Sequence, residues 1–311
     1  MTQSRFRLWP AELFILKLSA SLMALDACLI LLRGSNIDIA SYGAVIGLAV
    51  VLFAVGFAYR RTGRSEPIAS TAICTGLLVL FTSSMSQFSY LLLPNPRPVI
   101  DAWLTAIDGL FGYHWPDALA LSARHPLFNE AMRFAYLSTL PQMAILVVVL
   151  GLTGRIRTLQ ALIGSIAISG MLTVMFWGVF PSLGPSTLYA VSPEILATVR
   201  PVVDPEYGAD ITRLLHDGPS HLSPDEIRGL IAFPSYHTVL AATATYYSRK
   251  VSWAFPFFLI VNLIVLPAVL VHGGHHLVDI PAGFAVFAVS AFIAHRMVGD
   301  NRLPQPALGA R

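Results

Sequence analysis

Two short polar islands stand in an otherwise apolar chain: Phe233-Pro234-Ser235-Tyr236-His237 and His275-His276-Leu277-Val278-Asp279. A histidine and an aspartate four residues apart share one face of a helix. Asp279 could therefore hold one nitrogen of His275, set its tautomer and leave the other nitrogen free to attack. His237 could protonate a leaving oxygen as general acid. Helix starts present unpaired N–H groups and positive dipole ends, which suits a phosphate placed between them. Ser235, Tyr236 and the glycine pair Gly273-Gly274 flank that gap, and the glycines allow close approach of an anionic group. A histidine nucleophile, an aspartate that orients it, a histidine acid and an anion cradle describe phosphoryl transfer through a phosphohistidine. Ionisable groups at membrane depth are costly, so two islands facing each other are expected to form a reaction site.

The elements that must position these residues are membrane spans. Of 311 residues, 55% are hydrophobic and 12% charged, and the mean hydropathy is +0.67; a soluble domain carries about twice that charge. A span takes ~20 residues, and about eight are expected, near 11–32, 40–59, 67–93, 131–152, 158–180, 234–249, 252–271 and 277–295. The fold class is an all-α, polytopic transmembrane helix bundle. The separation of 38 positions from His237 to His275 corresponds to one helical hairpin, so both histidines are expected to open helices at the same membrane face. The stretch from Ala11 to Leu32 is too long for a secretion-signal h-region and is expected as a retained first span.

Cations set the orientation. With the N-terminus cytoplasmic, the inner side holds Arg5, Arg7, Arg60, Arg61, Arg64, Arg155, Arg157, Arg249, Lys250, Arg296, Arg302 and Arg311. The outer side holds only Arg33, Arg97, Arg124, Arg133, Arg200, Arg213 and Arg228. Both polar islands and the active site therefore face outward, with both termini cytoplasmic. Lys17 is close enough to the inner end of its span to snorkel. Asp26 sits in the same span and is expected to pair inside the bundle. Cys28 and Cys74 are expected as small core residues, and Trp9, Trp115, Trp177 and Trp253 as interface anchors. A net charge of +3, spread along the chain, gives nucleic-acid binding no support.

Two outer segments exceed plain turns. In 94–130, Trp103, Leu104, Ile107, Leu110 and Phe111 recur at helical spacing, which predicts an interfacial helix with Asp101 and Asp108 on its wetter side. Segment 181–232 is polar and rich in proline and glycine; Ser223-Pro224-Asp225-Glu226 predicts a capping box that starts a short helix toward Phe233. Its position suggests a lid or a substrate-binding element. The chain divides into residues 1–130, the first spans plus the interfacial helix, and 131–311, the catalytic core with outer loop 181–232.

The blocks Pro234-Ser235-Tyr236-His237 and His275…Asp279 resemble the type 2 phosphatidic acid phosphatase superfamily, with its Pro-Ser-x-His and His-x-x-x-Asp signatures. The Phe-Pro-Ser-x-His spelling and the Asp279…Gly283 spacing resemble the branch that includes inositol phosphorylceramide synthases and their bacterial relatives. His216-Asp217-Gly218 and the stretch with Asp101, Asp108, Gly112 and Trp115 are similar to that branch too. The resemblance implies His275 as nucleophile, Asp279 as its partner, His237 as acid and Ser235 as a phosphate contact. The superfamily's Lys-x6-Arg-Pro block is absent: Tyr90 precedes Arg97-Pro98 where lysine would stand, and Pro193 precedes Arg200-Pro201. Val269 replaces the arginine six residues before the nucleophile, and His276 a frequent tyrosine. Arg213 is the leading replacement cation, with Arg97 and Arg200 behind it, and His216 stands where relatives often carry arginine.

The expected function is a membrane lipid phosphatase or phospholipid headgroup phosphotransferase, working with no metal or cofactor. A lipid phosphate or phospholipid is the substrate, and water, a polyol or a lipid alcohol the acceptor. The alternatives are a non-enzymatic transporter, against which no inverted repeat or broken-span pattern stands out, and a metal site at His272, His275 and His276, whose adjacency fits a tetrahedral set poorly.

Overall fold

The computed structural model describes residues 8–299 and is all-helical over that range. Arg5, Arg7, Arg302 and Arg311 lie outside it. Six helices are long and apolar enough to cross a membrane: α1 (Pro10–Arg33), α2 (Ile39–Thr62), α3 (Glu66–Leu91), α8 (Ile156–Val179), α12 (Phe255–His272) and α13 (Asp279–Gly299). The pair α6 (Pro126–Leu137) and α7 (Thr139–Leu152), bent by 55°, is together long and apolar enough for a seventh. The bend has a local cause. Pro141 has no N–H to give the carbonyl of Leu137, so the α6 ladder stops there.

The expected span at 234–249 is α11 (Tyr236–Ser248), only 13 residues. At 1.5 Å per residue it is about 20 Å long, against about 30 Å of hydrocarbon. Where about eight crossings are expected, the described residues hold six helices of spanning length, one bent pair and one short helix.

Two polar systems bind the bundle at its ends. At one end Arg60 of α2 grips Glu12 of α1 with both terminal nitrogens, at 2.7 and 3.0 Å, and reaches Glu66 and Ser70 of α3. Gln160 of α8 completes the cluster on Glu12. At the other end lie both polar islands, here called the histidine end. Three further helices cover it: α5 (Trp115–Ala123), α9 (Pro193–Val199) and α10 (Pro205–Asp217). Ile37 and Leu222 pair there as an isolated bridge, which draws 218–232 across the bundle.

Several expectations are corrected. Helix α4 (Asp101–Leu110) does not wet its carboxylates: Asp101 and Asp108 are 1% and 4% exposed, while Trp103 and Leu110 of the apolar stripe are 80% and 83% exposed. Buried partners for the carboxylates decide this. No helix follows Ser223; residues 224–226 make one turn, and the Ser223 hydroxyl donates to Asp38 instead of capping. Trp115 and Trp177 are fully buried, donating to the Leu270 and Ser182 carbonyls, and are not interface anchors. Cys28 is exposed on α1, unlike buried Cys74. Asp26 is buried with no hydrogen-bond partner among the described residues.

Candidate active site

The first island builds the start of α11. Ser235 is the N-cap, fully buried, and its Oγ accepts from the Thr238 N–H at 3.3 Å. This cap places His237 in the first turn. The Ser235 N–H donates to the Asp279 carbonyl at 3.2 Å, which ties the two islands together through backbone. Gly283 allows the approach: a Cβ there would lie 2.7 Å from the Ser235 carbonyl oxygen and 2.8 Å from Thr238 Cβ.

The second island is a turn, not a helix start. Helix α13 begins at Asp279, so His275 precedes it. The four-residue spacing nevertheless brings them together: His275 Nδ1 lies 2.8 Å from Asp279 Oδ2, and the same oxygen accepts from the His276 N–H at 3.0 Å. Asp279 is fully buried and His275 is 3% exposed. With Nδ1 engaged, Nε2 is the nitrogen left free. Gly273 leaves room for the ring, since a Cβ there would stand 2.6 Å from His275 Cδ2 and 2.9 Å from Tyr136 Cε2.

His237 and His275 meet across one cavity of about 240 Å³, their ring centroids 6.4 Å apart. Tyr136 of α6 stacks on His237 at 4.0 Å and 17°. The remaining wall is mostly apolar. Leu137 and Leu140 come from the α6–α7 bend, and Leu183, Val202, Val203, Tyr207, Ile211 and 229–232 from the long segment before α11. Among the described residues, no lysine or arginine lines it.

Other predicted site residues lie elsewhere. Arg213 is exposed on α10 and pairs with Asp210 at 2.8 Å. His216 is exposed at the end of the same helix, whose Tyr207 and Ile211 face the cavity. Arg97 donates to the Val179 carbonyl and Arg200 pairs with Glu130. The Tyr236 hydroxyl donates to the Ile166 carbonyl of α8, away from the cavity. Gly274, at φ +57°, faces Val203 and Ser186. The rings of His272, His275 and His276 engage Asn129, Asp279 and Asp108 respectively. Among the described residues no three His, Cys, Asp or Glu side chains are grouped to hold a metal.

A second buried constellation supports the turn. His276 Nδ1 is 2.7 Å from Asp108 Oδ2, and Nε2 is 3.4 Å from Asp101 Oδ1. Asp108 Oδ1 accepts from the Leu277 N–H at 2.9 Å. Asp101 accepts from the Ser182 hydroxyl and from the Leu183 and Gly184 N–H groups. Burial opposes a charge on His276, but its hydrogen bonds to Asp101 and Asp108 and the field of Asp279 outweigh it and lift the imidazole to about 9. Burial would raise Asp101, yet His276 and the two amides hold its carboxyl below the ordinary value. The seven-residue spacing of the two aspartates puts them on one helix face, a signal visible in the sequence; which way that face turned was not. Tyr136 carries no such signal.

An all-helical membrane bundle with Pro-Ser-x-His capping one helix and His-x-x-x-Asp leading into another is the class of protein the fold and site define. The family model of the PAP2 superfamily matches residues 102–293, more than half of the chain, and the chain belongs to that superfamily. No curated protein and no solved structure matches it. Membership suggests phosphatase or phosphotransferase activity.

Proposed function

We propose that the protein cleaves or transfers a phosphoryl-containing headgroup of a membrane lipid through a phosphohistidine on His275, at the outer face of the membrane. The observation that carries this reading is the pair of histidine rings facing one cavity, one of them held by a buried aspartate. His275 Nε2 attacks phosphorus, the bond to the leaving oxygen breaks, and His237 gives that oxygen its proton. Asp279 keeps Nδ1–H in place as positive charge develops on the ring. In the return step an acceptor hydroxyl loses its proton to His237 and attacks phosphorus, and the P–N bond breaks.

A lining without lysine or arginine favours a phosphodiester monoanion over a monoester dianion, because little in the wall offsets the second charge. The apolar wall suits a lipid tail, and Leu137 and Leu140 at the bend both line the cavity and reach the surface of the bundle, which leaves a tail a way in. The reading therefore leans toward headgroup transfer to a polyol or lipid alcohol, as the resemblance to the inositol phosphorylceramide synthase branch implies.

The test is product analysis in mixed micelles with a phosphoinositide or phosphatidic acid, with and without ceramide or diacylglycerol, beside His275→Ala. A new phospholipid formed only with acceptor supports transfer, and free phosphate without acceptor makes the protein a phosphatase. Turnover is expected to survive EDTA and to be blocked by vanadate. Undiminished turnover in His275→Ala removes the mechanism.

A further inference from the structure

We propose that α4 is the positioning element of the nucleophile turn, and that it acts through His276 clamped between Asp101 and Asp108. The inference rests on the proposed role of His275. The turn cannot hold itself: it follows Gly273 and Gly274, the latter at φ +57°, and α13 begins only at Asp279. Glycine has the widest backbone freedom, so geometry at His275 must be imposed from outside. Two carboxylates impose it. Asp279 grips His275 and His276, while Asp108 grips His276 and Leu277, so consecutive residues of the turn are fixed from both sides. Tyr113, just after α4, adds a bond from its hydroxyl to the His275 carbonyl at 3.3 Å. Asp101 carries the clamp on to the cavity wall, through the N–H groups of Leu183 and Gly184.

The clamp is ionic, and this makes it testable apart from simple packing. A buried ion pair adds little net stability over apolar packing; it adds direction and register. For both ring nitrogens to donate to carboxylates, His276 must carry its second proton. The groups that face it are Asp101 and Asp108 from α4, Asp279 from α13, His275 in the same turn and the Tyr113 phenol, itself pushed above its ordinary value by burial. With His276 lifted to about 9, the imidazolium stands at neutral pH and is lost as pH rises through that value. Removing the Asp108 charge lets His276 fall back toward its ordinary value of 6.5, so the clamp re-forms only in acid.

The experiment measures kcat and KM against pH for the full-length protein, Asp108→Asn, Asp101→Asn and His276→Gln. At about pH 8, Asp108→Asn is expected to lose kcat on the order of 100-fold with little change in KM, since a misplacement of about 1 Å costs that much. Its ratio to the wild type should recover toward about pH 6, where the freed imidazole reprotonates. His276→Gln, which has no titratable charge, should lose turnover without recovery in acid. A ratio for Asp108→Asn that stays flat with pH, or turnover near wild type, overturns the proposal.

Asp101→Asn, which removes the carboxylate charge at the longer of the two His276 contacts, serves if Asp108→Asn does not fold. A second readout needs no turnover: carbethoxylation of His275 by diethyl pyrocarbonate, resolved by peptide mass spectrometry. His275 should react severalfold more slowly in the aspartate variants at neutral pH and equally in acid, and equal rates throughout overturn the clamp. If His275→Ala stays active, the catalytic reading has failed, while the labelling still decides whether α4 holds the turn.

Discussion

His237 and His275 are the same side chain in opposite settings. His275 has Asp279 at 2.8 Å on Nδ1, whereas His237 has the Tyr136 ring stacked on it and no carboxylate bond among the described residues. A carboxylate on one imidazole nitrogen makes the other more basic and nucleophilic, while a ring packed against a phenol keeps its nitrogens for exchange with the cavity. This asymmetry supports the proposed roles, attack by His275 and proton transfer by His237. Removal of an acid matters only where the leaving oxygen needs its proton, and general acid catalysis contributes about 100- to 10,000-fold. His237→Ala is therefore expected to slow lipid esters far more than a nitrophenyl ester of the same phosphate, measured as the ratio of the two kcat/KM values. Equal losses on both substrates would argue against the acid role.

At the scale of elements, the site depends on helix ends meeting at backbone distance. The Ser235 cap, the Gly283 contact and the Asp279 carbonyl hold the start of α11 against the start of α13. At the opposite end, Arg60 does for α1, α2, α3 and α8 what Asp108 does for the nucleophile turn. Glu12 is fully buried, so Arg60→Leu strands its carboxylate. Such a loss costs about 3–5 kcal/mol. The expected result is a clear fall in the thermal midpoint in detergent, while kcat of the protein that remains folded is retained, because the cluster lies at the far end of the bundle. A variant with an unchanged midpoint would mean that the cluster contributes register but no net stability.

For the whole molecule, the question is which way the bundle sits. Arg60, Arg61, Arg64, Arg155, Arg157, Arg249, Lys250 and Arg296 belong to the end opposite the histidines, in short loops where the positive-inside rule acts most strongly. The histidine end carries the longer segments, in which carboxylates outnumber cations. Single cysteines placed at Ser220 and at Gly154, in a Cys28→Ser/Cys74→Ser background, should separate in intact cells. The first is expected to react with a membrane-impermeant maleimide, and the second only after permeabilisation. The reverse pattern would put the active site on the cytoplasmic side.

What the sequence determined by itself is what depends on local pattern. Apolar stretches of span length located the long helices, because a bilayer leaves the backbone no other way to satisfy its hydrogen bonds. The four-residue spacing of His275 and Asp279 forecast their contact, although a turn and not a helix delivers it. The tertiary structure decided the rest. Spacing put Asp101 and Asp108 on one face of α4, but an apolar stripe beside them made solvent the natural partner of the carboxylates. Only the fold shows that His276, 168 and 175 residues away, supplies buried partners strong enough to turn that face inward. The same holds for the cavity. Arg213 and His216 share helix α10 with Tyr207 and Ile211, and packing alone chose which of those faces meets the histidines.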